Sequence, residues 1–284
     1  MDAKERLHQE DLQRLRGFRL LDDDFMTKCF EGSPECIELV LRIVLEKPDL
    51  KALEVHTQVF VENLLKRSVR LDIVATDSAG AKYNVEIQRA DKGSGRKRAR
   101  YNASAMDVGI LPKSDDFDSL PEVYVIFITE NDVLKRGEPV SRIQRRFDNT
   151  YETFDDGSHI LYVNGAYRGS TPIGRLMHDF SCTNPADMNY DVLAERVKYF
   201  KESKEGVATM CKVMEDMREQ SMKEGLAQGM KQGMKQGMKQ GMKQGMKDTA
   251  LRMLQAGKYA LEEIAAISGL SVEEVQKLSD TQTA

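Results

Sequence analysis

Asp72, Glu86 and Gln88 lie inside runs that otherwise read as β-strands, and a burst of positive charge comes after them. The runs are "RLDIVATD" and "KYNVEIQ", and Asp77, Ser78, Ala79 and Gly80 between them carry the chemistry of a hairpin turn. Side chains alternate faces along a strand. Asp72, Val74 and Thr76 therefore share one face of the first run, and Asn84, Glu86 and Gln88 one face of the second. A loop from Ser78 to Gly80 sets Asp77 against Ala81 and Asp72 against Glu86. Directly opposed residues have Cβ atoms about 5 Å apart. Two carboxylates that close repel, so one is pushed toward protonation unless a cation sits between them. Hard oxygen ligands suit Mg²⁺ or another divalent cation, which needs few protein ligands and keeps several waters. Such an ion activates water and polarises a phosphoryl oxygen.

The charge beyond Gln88 is concentrated. Arg89, Lys92, Arg96, Lys97, Arg98 and Arg100 face one acid, Asp91, in a chain whose net charge is −4. A local basic patch on an acidic protein points to one anionic partner at one place. Solvated carboxylates on an exposed strand and a solvated helix face are the plain alternative. The pairing, Gln88 beside it, the basic helix and a buried strand behind together favour a metal next to a bound polyanion.

These residues need a frame. "SPECIELVLRIVLE" reads as a helix with Ser33 as N-cap and Pro34 in its first turn. "LEVHTQVFVEN" alternates, with Val55, Thr57, Val59 and Val61 on one face of a strand. The two hairpin strands come next, then a helix from "GSGRKRARYNASAMDVGIL". "EVYVIFIT" is apolar almost throughout, the mark of a strand covered on both faces. The order is helix, three strands, helix, strand. "SHILYVNG" adds a strand, with a weaker one near Val140 to Arg145. The expected partition is a helical segment over 1–30, a core over 31–170, helices over 171–221, a repeat over 222–247 and a small tail over 248–284.

Several classes are disfavoured. No apolar run reaches membrane-spanning length, and "MDAKERLHQEDLQRL" lacks a secretory h-region, so a cytoplasmic location is expected. Cys29, Cys36, Cys182 and Cys211 form no CxxC pair, and the four histidines are scattered. There is no GxxxxGK[ST] loop, GxSxG elbow or HExxH helix.

Asp72, with Glu86-Ile87-Gln88 after it, in that order of elements, resembles the PD-(D/E)XK nuclease superfamily. The stretches "RSVRLDIVATDSAGAKYNVEIQRADKG", "RARYN", "LPEVYVIFITENDVLKRGEP", "DGSHILYVNGAYRG" and "PIGRLMHDF" resemble its transposase-like branch, the recombination-promoting nucleases. The resemblance implies an α/β fold with a restriction-endonuclease-like core and a helical C-terminal extension. It implies a metal-dependent DNA endonuclease associated with recombination or mobile elements. Asp72 and Glu86 match the metal-binding acids, and Ile87 would lend its backbone carbonyl. Gln88 stands where lysine is usual; a neutral amide can orient water but supplies no charge. An acid from the first helix is often added, with Glu38 the first candidate and Glu35 the second. Arg100 and Tyr101 match an Arg-Tyr pair that could touch phosphate. Lys92, Arg96, Lys97 and Arg98 complete the expected DNA contacts. The departure at Gln88 keeps a second reading open, a weakened nuclease fold serving as a nucleic-acid-binding or oligomerising scaffold.

Beyond the core, residues 249–278 read as three short helices. Within them "LEEIAAISGLSVEEVQKL" has the pattern of a helix-turn-helix, with Ala265, Gly269 and Val275 at its marked positions and Ser271 and Glu274 as a capping box. Glu273 and Glu274 would meet phosphates in a DNA reader, which favours a protein-contact module. The tract "QGMKQGMKQGMKQGMKQGMK" repeats every fourth residue, so any stripe along a helix drifts by about 40° per step. A long coiled coil is therefore not expected. A marginal helix, with short glycine-mediated contacts and a candidate homodimer interface, is.

Overall fold

The computed structural model describes residues 3–61, 68–89 and 94–283. The chain forms two compact units, Met1–Met214 and Glu215–Ala284.

The first unit opens with α1 (Ala3–Gly17), α2 (Asp23–Phe30) and α3 (Pro34–Leu45). Ser33 is the N-cap residue of α3 and Pro34 its first residue, where the missing N–H costs nothing. A mixed sheet comes next: β1 (Ala52–Val61), β2 (Val69–Asp77), β3 (Lys82–Gln88), then α4 (Arg96–Ile110), β4 (Val123–Thr129), β5 (Val140–Ile143) and β6 (Ser158–Asn164). The strand order is β1-β2-β3-β4-β6-β5. β1, β2 and β3 are antiparallel neighbours, and β3, β4 and β6 run parallel. α4 is the crossover from β3 to β4. The chain thus has the restriction-endonuclease-like α/β core of helix, three strands, helix and strand, extended by helices.

Every residue of β4 is buried because the sheet carries a core on each face. Tyr124, Ile126 and Ile128 join a core with Phe25, Ile37 and Leu41 of the first helices, and with Phe180 of α5 (Pro172–Ser181) and Phe200 of α6 (Asp191–Glu202). Val123, Val125 and Phe127 join a smaller core with Ala99, Ala103 and Met106 of α4. The residues before 31 and after 171 thus help to fill the first core.

One expectation for β1 fails. Val55 packs against the first core, but Val59 and Val61 pack against the second. Gln58 lies between them at φ 54°, and a left-handed residue interrupts the alternation that would keep all four on one face. Gln58 falls between the Thr57–Ile73 and Val59–Leu71 pairs, level with Asp72.

α7 (Lys204–Ala256) includes the whole repeat as helix. In the second unit the end of α7 packs with α8 (Leu261–Ser268) and α9 (Val272–Thr283) around Ala250, Ile264, Ala265, Leu270 and Val275. Residues 249–256, which the sequence suggests as a separate helix, are the last part of α7. Gly269 takes the left-handed conformation at the turn, φ 77°. The capping box forms: Ser271 N–H donates to Glu274 Oε2 at 3.0 Å, and Glu274 N–H to Ser271 Oγ at 3.2 Å. Met230, Met234, Met238 and Met242 are 67–74% exposed, whereas Met246, the last methionine of the repeat, packs against this small core. No helix among the described residues is long and apolar enough to cross a membrane.

Candidate active site

The β2–β3 hairpin has the register that alternation and the turn imply. Its backbone pairs run from Thr76–Lys82 to Ile73–Val85. Asp77 caps the turn, its Oδ1 accepting from Ala79 and Ala81 N–H at 2.9 Å each. The next pair outward in this register is Asp72 with Glu86. There the side chains replace backbone partners. Ile87 N–H donates to Asp72 Oδ2 at 3.0 Å, and Asp72 N–H approaches Glu86 Oε1 at 3.4 Å. Both residues are buried, at 5% and 0% exposure.

Burial is the main reason that both carboxyls are pushed up. Asp72 rises to about 7, first through burial, then through the charge of Glu86 and of Asp23. Glu86 is also raised by burial, against the opposing pull of Arg98 and the hydrogen bond from Asn84. Arg98 Nη2 donates to Glu86 Oε2 at 2.7 Å, and Asn84 Nδ2 to Glu86 Oε1 at 3.1 Å. Even with that contact, burial outweighs Arg98 at Glu86.

Asp72 lines a cleft of about 720 Å³ with Asp23, Arg70, Gln88, Lys97, Arg98, Tyr101 and Asn102, while Glu86 is fully buried and outside its lining. Gln88 is half-buried, and its Oε1 lies 3.5 Å from Arg98 Nη1. One guanidinium from α4 therefore spans Glu86 and Gln88. Gln88 C=O accepts from Glu130 N–H, just past the end of β4, at 3.0 Å, whereas Ile87 N–H points to Asp72. Alternation along the strand puts the Ile87 carbonyl on the Asp72 side.

The other expected residues are distributed differently. Glu38 is engaged elsewhere: its Oε2 accepts from Ala52 N–H at 3.0 Å and its Oε1 pairs with Arg42 at 2.5 Å. Glu35 accepts from Ser33 at its own helix start. Neither is brought to the cleft. Lys97, Arg98 and Tyr101 line it; Arg100 is exposed on α4 outside its lining, and Arg96 turns to a second cleft. Lys92 lies outside the described residues.

Two residues missed by sequence reasoning stand in the cleft. Asp23, at the start of α2, is the third acid whose charge reaches both Asp72 and Glu86. Gln58 Nε2 donates to Asp23 Oδ1 at 3.3 Å and to Thr27 Oγ1 at 3.0 Å, so the left-handed residue of β1 holds that acid in place. Asn102, 1% exposed, has a buried Nδ2 with no partner among the described residues. No local pattern marks either residue; each depends on how a helix docks.

The donor set fits a hard divalent cation. When both are ionised, the two buried carboxylates carry more negative charge than Arg98 neutralises, and the strand's alternation turns the Ile87 carbonyl to the Asp72 side. No group of three or more His, Cys, Asp or Glu residues among the described ones is close enough to enclose an ion, so such an ion would keep waters.

The fold is of the restriction-endonuclease-like type. Residues 36–164 match the family model described as "PD-(D/E)XK nuclease family transposase". No curated protein and no solved structure matches the chain.

Proposed function

We propose that the protein is a metal-dependent DNA endonuclease that hydrolyses phosphodiester bonds in recombination or mobile-element transactions. The observation that carries this reading is the buried Asp72–Glu86 pair, whose Asp72 lines a cleft walled by Lys97 and Arg98 of α4. Asp72, Glu86 and the Ile87 carbonyl would hold Mg²⁺ or a similar divalent ion, with Asp23 contributing charge from α2. When bound, the ion supplies Lewis-acid charge and acidifies water.

The chain's own residues do the rest. Gln88, with an amide facing the cleft, orients the attacking water through hydrogen bonds. Arg98 brings the fixed positive charge that Gln88 lacks, held against Glu86 and aimed at the same space. A guanidinium there stabilises charge that builds on the phosphoryl oxygens. Lys97 and Tyr101 position the backbone at the cleft, and the buried Asn102 amide offers a further donor. The C-terminal helices provide a homodimer contact.

Nicking of supercoiled plasmid by the purified full chain tests the proposal. Activity is expected with Mg²⁺, none with EDTA, and none from Asp72→Asn or Glu86→Gln. A folded chain that binds DNA and never cleaves it would favour the scaffold reading instead.

A further inference from the structure

A second cleft, about 570 Å³, lies across α4 from the catalytic one. Ala99, Leu134, Ile160 and Tyr162 give it an apolar floor. Tyr162 O–H is already spent on the Ser94 carbonyl at 2.9 Å. Three arginines ring the opening: Arg96 of α4, Arg136 from the β4–β5 connection and Arg142 of β5. Arg142 is occupied, donating to the Val44 carbonyl at 3.1 Å and lying 3.6 Å from Glu46. Arg96 and Arg136 meet no carboxylate among the described residues, although Glu138 stands on the same rim.

The start of α4 adds a second observation. The helix begins Arg96, Lys97, Arg98, with no acid in its first turn and no side-chain cap on Gly95. Helix N-termini carry partial positive charge and favour acids, so three cations there oppose the helix's own stability. An anion placed against that turn reverses the sign of every one of these terms. Successive residues split around the helix: Arg96 faces the second cleft, and Lys97 and Arg98 face the catalytic one.

We propose that the second cleft is a phosphate-binding subsite for nucleic acid, gripping the backbone that flanks the bond to be cut. One strand crosses the N-terminus of α4, with the scissile phosphate beside Asp72 and Glu86 and a neighbouring stretch between Arg96 and Arg136. The apolar floor takes the sugar faces, and the two guanidinium groups take phosphate oxygens. This inference rests on the nuclease reading for its substrate, and its test does not depend on cleavage.

The test measures binding of the full chain to a fluorescent duplex by anisotropy, with Ca²⁺ in place of Mg²⁺, over a range of salt. Each phosphate contact contributes about 0.9 to the slope of log K against log salt. Arg96→Gln with Arg136→Gln should weaken binding on the order of 10- to 100-fold and lower the slope by about 1.8. Arg136→Lys should recover part of the loss in the double variant's background. Lys113→Gln, an equal loss of charge beyond the other end of α4, should change neither quantity by much. An unchanged slope in a folded double variant, or an equal loss with Lys113→Gln, overturns the subsite. A wild-type chain that binds duplex but hydrolyses no phosphodiester refutes the nuclease reading alone, because the slopes still decide the subsite. A wild-type chain that does not bind DNA overturns both.

Discussion

Replacing Asp72 by Asn tests the electrostatics of the pair without any assumption about catalysis. Asn keeps an oxygen that can accept from Ile87 N–H, at 3.0 Å in the native site, and removes only the charge. Asp72 sits at about 7, where a free aspartate sits near 3.9. A native value above the unfolded one means that the protonated form stabilises the fold. That contribution is complete below about pH 4 and is lost as pH rises through about 7. Each tenfold change in acidity corresponds to about 1.4 kcal/mol, so ionised Asp72 costs the metal-free native state up to about 4 kcal/mol at pH 8. For a domain of this size 1 kcal/mol moves Tm by about 2–4 °C, and water entry into the cleft trims the total, giving a rise of about 5–10 °C for Asp72→Asn at pH 8. The assay is calorimetry in EDTA at pH 5 and pH 8, repeated with Mg²⁺ at pH 8. Wild type should lose stability from pH 5 to 8 in EDTA, the variant much less. Mg²⁺ should raise the wild-type Tm and leave the variant's nearly unchanged. A variant no more stable than wild type at pH 8, with the same pH slope, would refute the account of a buried, under-neutralised pair.

The same geometry sets other outcomes. Gln88→Ala should lower cleavage by about 10- to 1000-fold, whereas Gln88→Lys should retain or raise it; a folded, metal-binding lysine variant with no activity would show that the amide has another role. Arg98→Gln should lower turnover by about 100-fold, and adding Gln88→Lys should restore part of it; no recovery would separate Arg98 from the charge that Gln88 lacks. Asp23→Asn should weaken metal binding on the order of 10-fold by titration calorimetry, and an unchanged affinity would remove Asp23 from the site. Deleting one QGMK unit should shorten α7 by about 6 Å and turn its C-terminal end by about 40° with cleavage within about two-fold, and collapse of nicking would make the repeat part of the machinery.

The hairpin was legible because alternation and turn chemistry are local, and together they fix the register that sets Asp72 against Glu86. β4 was legible because eight consecutive residues from Glu122 to Thr129 are nearly all apolar, and only a strand with a core on each face can use such a run. The third acid was not. Glu38 has the expected residue type on the helix before β1, but the docking of α3 aims it at Ala52 N–H and Arg42. Asp23 reaches the pair because α2 packs where it does, and packing of a distant helix leaves no periodic trace. Gln58 is a similar case, since its left-handed backbone has neither Gly nor Asn to announce it. The basic run was legible as charge, but its division between two clefts comes from the helical rotation of α4 against the sheet.

The most direct test of the proposed metal site is a Mn²⁺ titration of the full chain at pH 8, monitored by electron paramagnetic resonance and paired with plasmid nicking in the same samples. The account predicts saturable binding by wild type, nicking that rises in step with occupancy, and loss of both in Asp72→Asn and Glu86→Gln. Binding and nicking at wild-type levels in both variants would contradict it.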